Sequence, residues 1–289
     1  MSPSTAYEDR LTEEAYWDSQ YEPAASSVAP TPPARTKGLL GRLLGPRLRD
    51  LVQDYREHLV WNVLYPRYLP RRAGAKLLEV GSAPGTHLVQ VHKSYGFDCY
   101  GVEYTPRGAE LNRKVFRLNG LDPANVIHAD FFSPEFQTRY RGYFDIVLSR
   151  GFIEHFRDVD RVLSAHLNVI APGGMLAVTI PNLRGINYGL AWFFCKELLP
   201  LHNLDIMNGE RFSKLFEAQG LIPLFCGYYG GFSFHVVDNR PAGFKGPVRD
   251  VCAKAQLVVN AAYRVFLKHG GAEHRWFSSH LAFIGVKQR

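Results

Sequence analysis

The sequence predicts an α/β fold, a doubly wound and mainly parallel β-sheet with helices on both faces. From residue 76 onward, short apolar runs alternate with stretches of helical periodicity, which is the pattern of parallel strands joined by right-handed helical crossovers. A glycine-bearing turn follows the first apolar run, and a carboxylate ends the second. With 289 residues, of which 46% are hydrophobic and 21% are charged, the chain suits one globular domain with appendages.

The first part of the chain differs in composition from the rest. Residues 1–36 are acidic and rich in proline, and the stretch 19–36 predicts a disordered linker. Three aromatic residues interrupt this polar composition: Tyr16, Trp17 and Tyr21. They indicate either a lid that folds back on the domain or a set of exposed rings.

Residues 37–75 predict a helical N-terminal extension. Its helical periodicity covers 37–65 and ends before Pro66, where a helix cannot continue normally. Within 37–49, leucines alternate with basic residues. This pattern allows peripheral contact with anionic lipid, and it equally fits a helix that packs on the domain and exposes a solvated basic face.

Residues 76–103 form the first unit of the predicted sheet. The run 76–80 is a buried strand, a turn follows between Gly81 and Gly85, and a helix leads to a second strand that ends on Glu103. A glycine turn lets a ligand approach the backbone, and the helix N-terminus beyond it favours negative charge. A carboxylate at the next strand end can accept both hydroxyls of a ribose. The unit therefore predicts a site for an adenosine-like ligand.

The composition of the turn argues against a dinucleotide. A dinucleotide fingerprint would have glycine at positions 83 and 86, where this chain has Ala83 and Thr86. The side chains of Ala83 and Pro84 occupy the space that a pyrophosphate would need. A smaller, zwitterionic tail is easier to accommodate.

The later elements continue the alternation. Thr105 caps a helix that begins with Pro106. Further strands are predicted over 126–130, 144–149, 175–180, 221–228 and 276–286, and further helices over 159–170, 208–220 and 247–268. The last of these helices is an insertion before the final strand.

The turn with its flanking carboxylates resembles motifs I and II of the class I S-adenosylmethionine-dependent methyltransferases. The matching residues are Glu79 to Gly85 and Glu103, and Ala83-Pro84 replaces the commoner glycine pattern. The resemblance extends over residues 76–289. It implies a Rossmann-like, seven-stranded sheet with an antiparallel last strand, S-adenosyl-L-methionine as the cofactor, and a catalytic domain over 76–289 with cap elements at 186–203 and 228–270.

The same resemblance implies the cofactor contacts. Glu103 would bind the ribose, Asp130 the adenine amine, and Phe131 would cover the adenine ring, although Asp130 could instead cap a turn and Phe131 could belong to the core. Ser149 ends the strand expected beneath the methionine part. The implied cofactor-binding residues are Glu79, Gly81, Ser82, Gly85, Glu103, Asp130, Phe131 and Ser149.

Two histidines are the predicted catalytic residues. Methyl transfer needs a base only where the acceptor is neutral and weakly acidic, and histidine suits that task at neutral pH. His155 and His202 lie on segments expected above the strand ends. Together with Glu154 they also resemble the metal ligands of small-RNA 2′-O-methyltransferases, but Gly151 stands at one ligand position, so no metal is predicted.

The predicted acceptor is a hydroxyl group on a small molecule or a glycan. Aromatic residues in 186–203 and 228–234 would shield it, unless they pack a cap subdomain or a dimer contact. The stretch 186–203 contains one lysine and no arginine, which argues against nucleic acid. Three alternatives stay open: a metal-assisted RNA 2′-O-methyltransferase, a lipid or quinone methyltransferase, and a non-catalytic protein that binds S-adenosylmethionine.

The sequence also predicts a cytoplasmic location. The four cysteines are scattered without close pairs, so neither a zinc ribbon nor a disulfide framework is indicated. The N-terminus lacks the pattern of a signal peptide. No apolar run approaches the roughly 20 residues of a transmembrane helix.

Overall fold

A computed structural model describes residues 9–25, 51–234, 245–267 and 269–288. Within these residues, seven strands form one sheet in the order β3-β2-β1-β4-β5-β7-β6. The strands are β1 (Lys76–Val80), β2 (Asp98–Glu103), β3 (Val126–His128), β4 (Phe144–Arg150), β5 (Ile170–Pro181), β6 (Leu221–Phe232) and β7 (Ser278–Lys287). Strands β1 to β5 are parallel, and β7 runs antiparallel between β5 and β6. The predicted fold class and its antiparallel last strand are confirmed.

Among the described residues, three helices precede β1 and the others lie between strands. They are α1 (Glu14–Ala25), α2 (Tyr55–Leu59), α3 (Tyr65–Tyr68), α4 (Thr86–Tyr95), α5 (Pro106–Leu118), α6 (Pro134–Arg139), α7 (Val159–Val169), α8 (Ile186–Cys195), α9 (Gly209–Ala218) and α10 (Lys245–Phe266), with a π-helical segment, Val60–Leu64, joining α2 to α3. None of the helices in the described ranges is both long and apolar enough to cross a bilayer.

The sheet is buried on both faces, which is why its central strands read as continuous apolar runs. Alternate residues of β1 enter different cores: Leu78 and Val80 pack in one cluster and Leu77 in the other. Leu77 and Leu78 are both fully buried. This packing fixes the carboxyl end of β1, from which the glycine turn emerges.

The structure corrects two of the predicted segment boundaries. Residues 19–25, predicted as part of a disordered linker, belong to α1, whose aromatic residues pack against the domain. The predicted helix over 37–65 does not run unbroken, because Asp54 starts a new helix by accepting hydrogen bonds from the backbone N–H groups of Arg56 and Glu57. The remainder of the linker and the basic segment 37–49 lie outside the described residues.

Four strands also differ from their predicted bounds by two residues or more. Strand β5 begins at Ile170 rather than at residue 175, and β7 begins at Ser278 rather than at residue 276. Strand β3 ends at His128 rather than at residue 130, and β6 continues to Phe232. The extension of β6 follows from its long antiparallel pairing with β7, which pairs Tyr229 with His280. The segment 228–232, predicted as part of a cap, is therefore a strand end at the ligand edge of the sheet.

A buried histidine predicts how stability depends on pH. His166 of α7 is fully buried, its Nδ1–H donates to the Val162 carbonyl, and burial lowers its pKa to about 4. The unfolded chain has a histidine pKa near 6.5, so this contribution to stability is complete above pH 6.5 and is lost as the pH falls toward 4. We expect wild type to lose about 1–2 kcal/mol more unfolding free energy between pH 7 and pH 5 than His166→Leu loses. Urea unfolding at both pH values measures this, and the exposed His128→Leu is the control; equal losses in all three proteins would contradict the assignment.

Candidate active site

The glycine turn at the end of β1 is held by hydrogen bonds to β2 and α5. The backbone N–H groups of Gly81 and Ser82 donate to the Val102 carbonyl at 3.0 and 3.3 Å. The Asn112 amide of α5 donates to the Ser82 hydroxyl at 2.6 Å. Gly85 has φ 90°, and a Cβ there would lie 2.0 Å from the Asn112 amide oxygen. Only glycine fits this position, and the turn leaves its backbone open to a ligand.

Glu103 lies at the carboxyl end of β2, next to the turn. Its Oε1 accepts hydrogen bonds from the backbone N–H of Thr105 at 3.0 Å and from the Thr105 hydroxyl at 3.1 Å. Burial raises the pKa of the carboxyl group, and these hydrogen bonds partly offset that effect. Thr105 in turn caps α5 through the Gly108 N–H. The carboxylate is therefore fixed in place at the edge of a cavity.

That cavity is largely apolar and has a volume of about 170 Å³. We call it the apolar cavity. Glu103 and Phe131 line it from the sheet side, and Phe152 and His155 line it from the loop after β4. The remaining lining residues are Arg10, Thr12, Trp17, Tyr21, Val80, Gly81, Ala83, Val102, Tyr104, Ala129, Arg150, Gly151 and Phe156.

Residues 9–25, which we call the N-terminal segment, cover this cavity. The Leu11 N–H donates to the His155 carbonyl at 2.8 Å, and the Trp17 ring packs edge-on against His155 with centroids 5.0 Å apart. Arg10 forms an ion pair with Asp130 at 3.0 Å. The aromatic residues that were predicted to be either a lid or exposed thus include two, Trp17 and Tyr21, that lie over the apolar cavity.

A second cavity, of about 290 Å³, lies on the other side of the glycine turn. We call it the polar cavity. The turn itself lines it, together with residues from the ends of β1, β4, β5, β6 and β7 and from α2. These residues are Arg56, Glu79, Gly81, Ser82, Ala83, Pro84, Gly85, Thr86, His87, Arg150, Gly151, Thr179, Pro181, Tyr229 and His280.

Two arginines in the polar cavity share one carboxylate. Arg56 and Arg150 each place a guanidinium nitrogen 3.1 Å from Glu57 Oε1. Burial opposes ionisation of Glu57, but the charges of Arg150 and Arg56 hold the pKa of Glu57 below its usual value. Arg56 also donates to Nε2 of His280 at 3.1 Å.

A carboxylate and a histidine form the opposite side of the polar cavity. Nδ1 of His87 lies 3.0 Å from Glu79 Oε1, and the Tyr65 hydroxyl lies 3.1 Å from Nε2 of His87. Burial, together with the charge of Arg150, lowers the pKa of His87. Glu79 Oε2 is buried and has no hydrogen-bond partner among the described residues. An unpaired buried carboxylate oxygen of this kind is suited to a cationic ligand group.

The two cavities meet at four residues. Gly81, Ala83, Arg150 and Gly151 line both of them. An elongated ligand that crosses this junction would place its apolar, ring-bearing part against Glu103 and its zwitterionic part against Glu79 and Arg56. The donor set therefore fits S-adenosylmethionine, whose charged tail carries both an ammonium and a carboxylate group.

Most of the predicted cofactor residues line one of the cavities, and two do not. Glu79, Gly81, Ser82 and Gly85 line the polar cavity, and Gly81, Glu103 and Phe131 line the apolar cavity. Ser149 is fully buried behind the junction, where its neighbours Arg150 and Gly151 line the cavities instead. Asp130 pairs with Arg10 and accepts from the Phe132 N–H, so its oxygen is engaged by the N-terminal segment.

The two histidines predicted as bases lie away from the polar cavity. Nδ1–H of His155 donates to the Leu201 carbonyl, and Nδ1–H of His202 donates to the Leu198 carbonyl. Burial, followed by the charge of His202, lowers the pKa of His155 to about 3. His155 lines only the apolar cavity and His202 lines neither. Their backbone partners are the reason, because the carbonyl groups of the 3₁₀ segment Lys196–Leu201 fix both rings, and Trp17 packs on the ring of His155.

Glu154 joins these histidines in a buried cluster. One potential ligand atom from each of Glu154, His155 and His202 lies within 4.8 Å of the others. Nε2 of His155 lies 3.9 Å from Glu154 Oε1. A carboxylate with two imidazole nitrogens is a donor set that suits Zn²⁺ or Fe²⁺.

The predicted aromatic shield is only partly at the cavities. Tyr188 and Trp192 of α8 are exposed at 45% and 61%, and no residue of 186–203 lines either cavity. The helix packs its other face, with Ala191 and Cys195, into the core, which turns these rings outward. Tyr229 does line the polar cavity, whereas Tyr228 faces away and its hydroxyl accepts from the Gly209 N–H.

Sequence reasoning missed three residues of the polar cavity. Arg150 directly follows Ser149 at a strand end, a position where a charged residue after an apolar run indicates a site. Arg56 lies in a helix outside the alternating domain, and His280 lies near the start of the last strand. No local pattern marks these two residues, because their contact with each other joins positions 224 residues apart.

The chain matches a family of known enzymes over more than half its length. Residues 53–223 match the family described as a methyltransferase domain. The chain is 26% identical over 215 residues to a probable S-adenosylmethionine-dependent methyltransferase of Mycolicibacterium smegmatis, covering 71% of this chain and 74% of that protein.

Relatives of known acceptor type match a shorter part. Norajmaline N-methyltransferase of Rauvolfia serpentina is 26% identical over 118 residues, which is 38% of this chain and 37% of that enzyme. A ubiquinone biosynthesis O-methyltransferase of Brucella anthropi is 29% identical over 118 residues, which is 41% of this chain and 46% of that enzyme. This chain thus spans less than half the length of these two enzymes.

A solved structure shares the fold. Phosphoethanolamine N-methyltransferase 2 of Haemonchus contortus, in complex with S-adenosyl-L-methionine, superposes with a TM-score of 0.50 and 18% sequence identity, covering 81% of this chain and 52% of that one. Together with the match over residues 53–223, the sheet order and the two cavities at the glycine turn, this leads to one conclusion. The chain belongs to the methyltransferase domain family and is an S-adenosylmethionine-dependent methyltransferase with a Rossmann-like fold.

Proposed function

We propose that this enzyme methylates an oxygen atom of a small molecule or glycan that binds in the polar cavity. The observation that supports this most directly is the junction of the two cavities at Arg150 and Gly151. With adenosine on one side of the junction and the methionine tail on the other, the methyl group would lie near the junction. Thr179, Tyr229 and His280 line the same polar cavity and would be available to hold the acceptor.

The cofactor assignment uses residues with matching chemistry. Glu103 would accept the ribose hydroxyls, and Phe131 would cover the adenine ring. In the polar cavity, Glu79 would meet the ammonium group and Arg56 the carboxylate, so that both charges of the tail are paired. Gly85 lines the polar cavity and is the N-cap of α4, so the tail would lie beside the N-terminus of that helix.

The protein's contribution to the reaction is positioning. Bound S-adenosylmethionine supplies a methyl group that its sulfonium already activates. The chain must hold the acceptor oxygen in line with that methyl group and exclude water. The N-terminal segment favours exclusion of water, because Trp17 and Tyr21 cover the apolar cavity from outside.

Oxygen is favoured over nitrogen by the donors that surround the acceptor position. Arg150 is always protonated and can only donate, and the burial that raises the pKa of Tyr229 to about 12 keeps its phenol a donor. A neutral amine or a neutral hydroxyl releases a proton on methylation and needs an acceptor for it, whereas an oxygen anion releases none and is held by donors. The Brucella relative named for O-methylation agrees with this choice, and the Rauvolfia relative named for N-methylation is the alternative.

The proposal is tested by product identification. The purified enzyme is incubated with methyl-labelled S-adenosylmethionine and either a small-molecule extract or total RNA, and the labelled product is analysed by mass spectrometry. We expect label in a small molecule or glycan as a methyl ether or methyl ester. Label on nitrogen would contradict O-methylation, and no label in any fraction, despite tight cofactor binding, would favour a non-catalytic binding protein.

A metal-assisted RNA 2′-O-methyltransferase is the second candidate, and the cluster of Glu154, His155 and His202 is the observation in its favour. The cluster lies beneath the N-terminal segment on the side of the apolar cavity, away from Tyr229 and His280. The same assay after dialysis against EDTA separates the candidates. We expect activity to survive dialysis, whereas activity on RNA that returns with added Mn²⁺ would establish the second candidate.

A further inference from the structure

We infer, building on the proposed O-methylation, that the acceptor enters as an oxygen anion and that Arg150, Tyr229 and His280 form the subsite that binds it. The acceptors of this class are carboxylates and acidic phenols or enols. The inference rests on the direction of one hydrogen bond, on the charges at the cavity junction, and on the contacts that the two imidazoles lining the polar cavity make with Arg56, Glu79 and Tyr65.

The hydrogen bond between Arg56 and His280 fixes the proton on the imidazole. A guanidinium can only donate, so Nε2 of His280 must accept from Arg56 across the 3.1 Å contact. The proton of the neutral ring is therefore on Nδ1. This Nδ1 atom is buried and has no hydrogen-bond partner among the described residues, although His280 lines the polar cavity. His280 thus contributes to the cavity lining a ring whose buried N–H donor is unsatisfied by the described residues.

The imidazole stays neutral at physiological pH. Burial, and then the charges of Arg56 and Arg150, lower the pKa of His280 well below its usual value. Glu57 contacts the same two arginines on the side away from the cavity lining, and Tyr229 packs near the His280 ring with centroids 5.6 Å apart. The unpartnered Nδ1–H of His280 therefore stays a donor over the whole neutral range.

Arg150 and Tyr229 complete a set of donors. Arg150 lines both cavities and so lies next to the position of the reacting methyl group. Tyr229 is 3% exposed and lines the polar cavity beside Thr179. The residues that carry a guanidinium, a phenol and an imidazole N–H line one cavity. Such a donor set suits an anionic oxygen, because charge-assisted hydrogen bonds are the strong ones.

The lining of the polar cavity offers no free imidazole base. Nε2 of His280 accepts from Arg56, and His87 lies between Glu79 and the Tyr65 hydroxyl. Glu79 is the partner of the cofactor's ammonium group in the proposed function. An acceptor that already carries a negative charge needs no base.

The reaction then balances without proton transfer. A lone pair of the oxygen anion forms the new O–CH₃ bond as the S–CH₃ bond breaks, and its electron pair stays on sulfur as a neutral thioether. One anion and one sulfonium cation give two neutral products. The donors of the subsite hold the anion in line and lose their charged partner when the product forms, which assists product release.

The test uses benzoate and its neutral isostere benzamide as probes. Both are titrated by calorimetry into the enzyme saturated with S-adenosylhomocysteine, which blocks the adenosine and methionine sites. We expect benzoate to bind at least about tenfold more tightly than benzamide. Tyr229→Phe and His280→Phe should each weaken benzoate binding by about three- to tenfold, and Tyr228→Phe, whose hydroxyl faces away from the cavity, should leave it unchanged.

Three outcomes would overturn the inference. They are equal binding of both probes, no binding of benzoate, and benzoate binding that is unaffected in both cavity variants. Because Tyr229→Phe removes only one oxygen atom, it keeps the test valid if His280→Phe fails to fold. The titration with S-adenosylhomocysteine itself comes first: failure of wild type to bind it would contradict the proposed function, whereas loss of its affinity in the two variants would assign these residues to the cofactor and reject the anion subsite.

Discussion

Replacing Glu103 by alanine should weaken S-adenosylmethionine binding by about 10- to 100-fold, because a charged acceptor for the two ribose hydroxyls is lost. The carboxylate is buried at the end of β2 and is oriented by Thr105, so no neighbouring side chain can take its place without a rearrangement. Calorimetric titration of the purified variant measures the effect.

Glu110→Ala is the matched control for this measurement. Glu110 lies on the exposed face of α5, one helix turn beyond the N-cap, and should bind the cofactor as wild type does. Thermal unfolding of both variants shows whether the loss of the Thr105 contacts also loosens α5. Equal affinities of Glu103→Ala and wild type would remove the ribose assignment.

The second large effect is expected at Gly85. Alanine there must adopt φ 90°, and its Cβ would lie 2.0 Å from the Asn112 amide oxygen and 2.8 Å from Asn112 Cγ. The left-handed conformation costs about 1 kcal/mol, and displacement of Asn112 from Ser82 adds the loss of a buried hydrogen bond, giving about 3 kcal/mol in unfolding free energy. Cofactor affinity should fall as well, since the turn changes shape.

Gly74 provides the comparison. It has φ 73°, yet a Cβ there meets no atom within 4 Å. Gly74→Ala should therefore lose only the conformational part, about 1 kcal/mol, and should keep its cofactor affinity. If urea unfolding gives the same loss for both alanine variants, the close approach of Asn112 to the turn is not a determinant of the site.

The sequence predicts the architecture well because the relevant signals are local. The apolar run of β1, the glycine turn and the carboxylate of Glu103 lie within 28 consecutive positions, 76–103. The alternation of strands and helices then leaves few ways to order the sheet. The cofactor and the class of enzyme follow from the same short segments, and both are confirmed by the family match and the fold.

The acceptor site could not be predicted in the same way, because it is assembled from distant positions. His280 accepts a hydrogen bond from Arg56, which is 224 positions away in the sequence. Arg150 donates to Glu57, which is 93 positions away. The choice of His155 and His202 relied on their position after strand ends. That position alone does not reveal that carbonyl groups of the 196–201 segment hold both rings outside the polar cavity.

The orientation of aromatic residues was a further obstacle. Residues 186–194 are apolar or aromatic around most of the helix, and the polar Asn187 is itself buried. The sequence therefore does not reveal which face enters the core. The structure places Phe194 inside and Trp192 outside. In contrast, aromatic residues are unusual in a polar N-terminal stretch, and this signal did indicate a possible lid. Two of these residues, Trp17 and Tyr21, line the apolar cavity.

A crystal structure with S-adenosylhomocysteine tests the central claim most directly. We expect the ribose hydroxyls within hydrogen-bonding distance of Glu103 and the adenine ring against Phe131. The carboxylate of the ligand's amino-acid tail should contact Arg56, and its sulfur should lie at the junction of the two cavities, beside Gly81 and Arg150. The sulfur should face the space in front of Tyr229 and His280. A ligand whose ribose makes no contact with Glu103, or whose sulfur points toward His155 and His202, would contradict it.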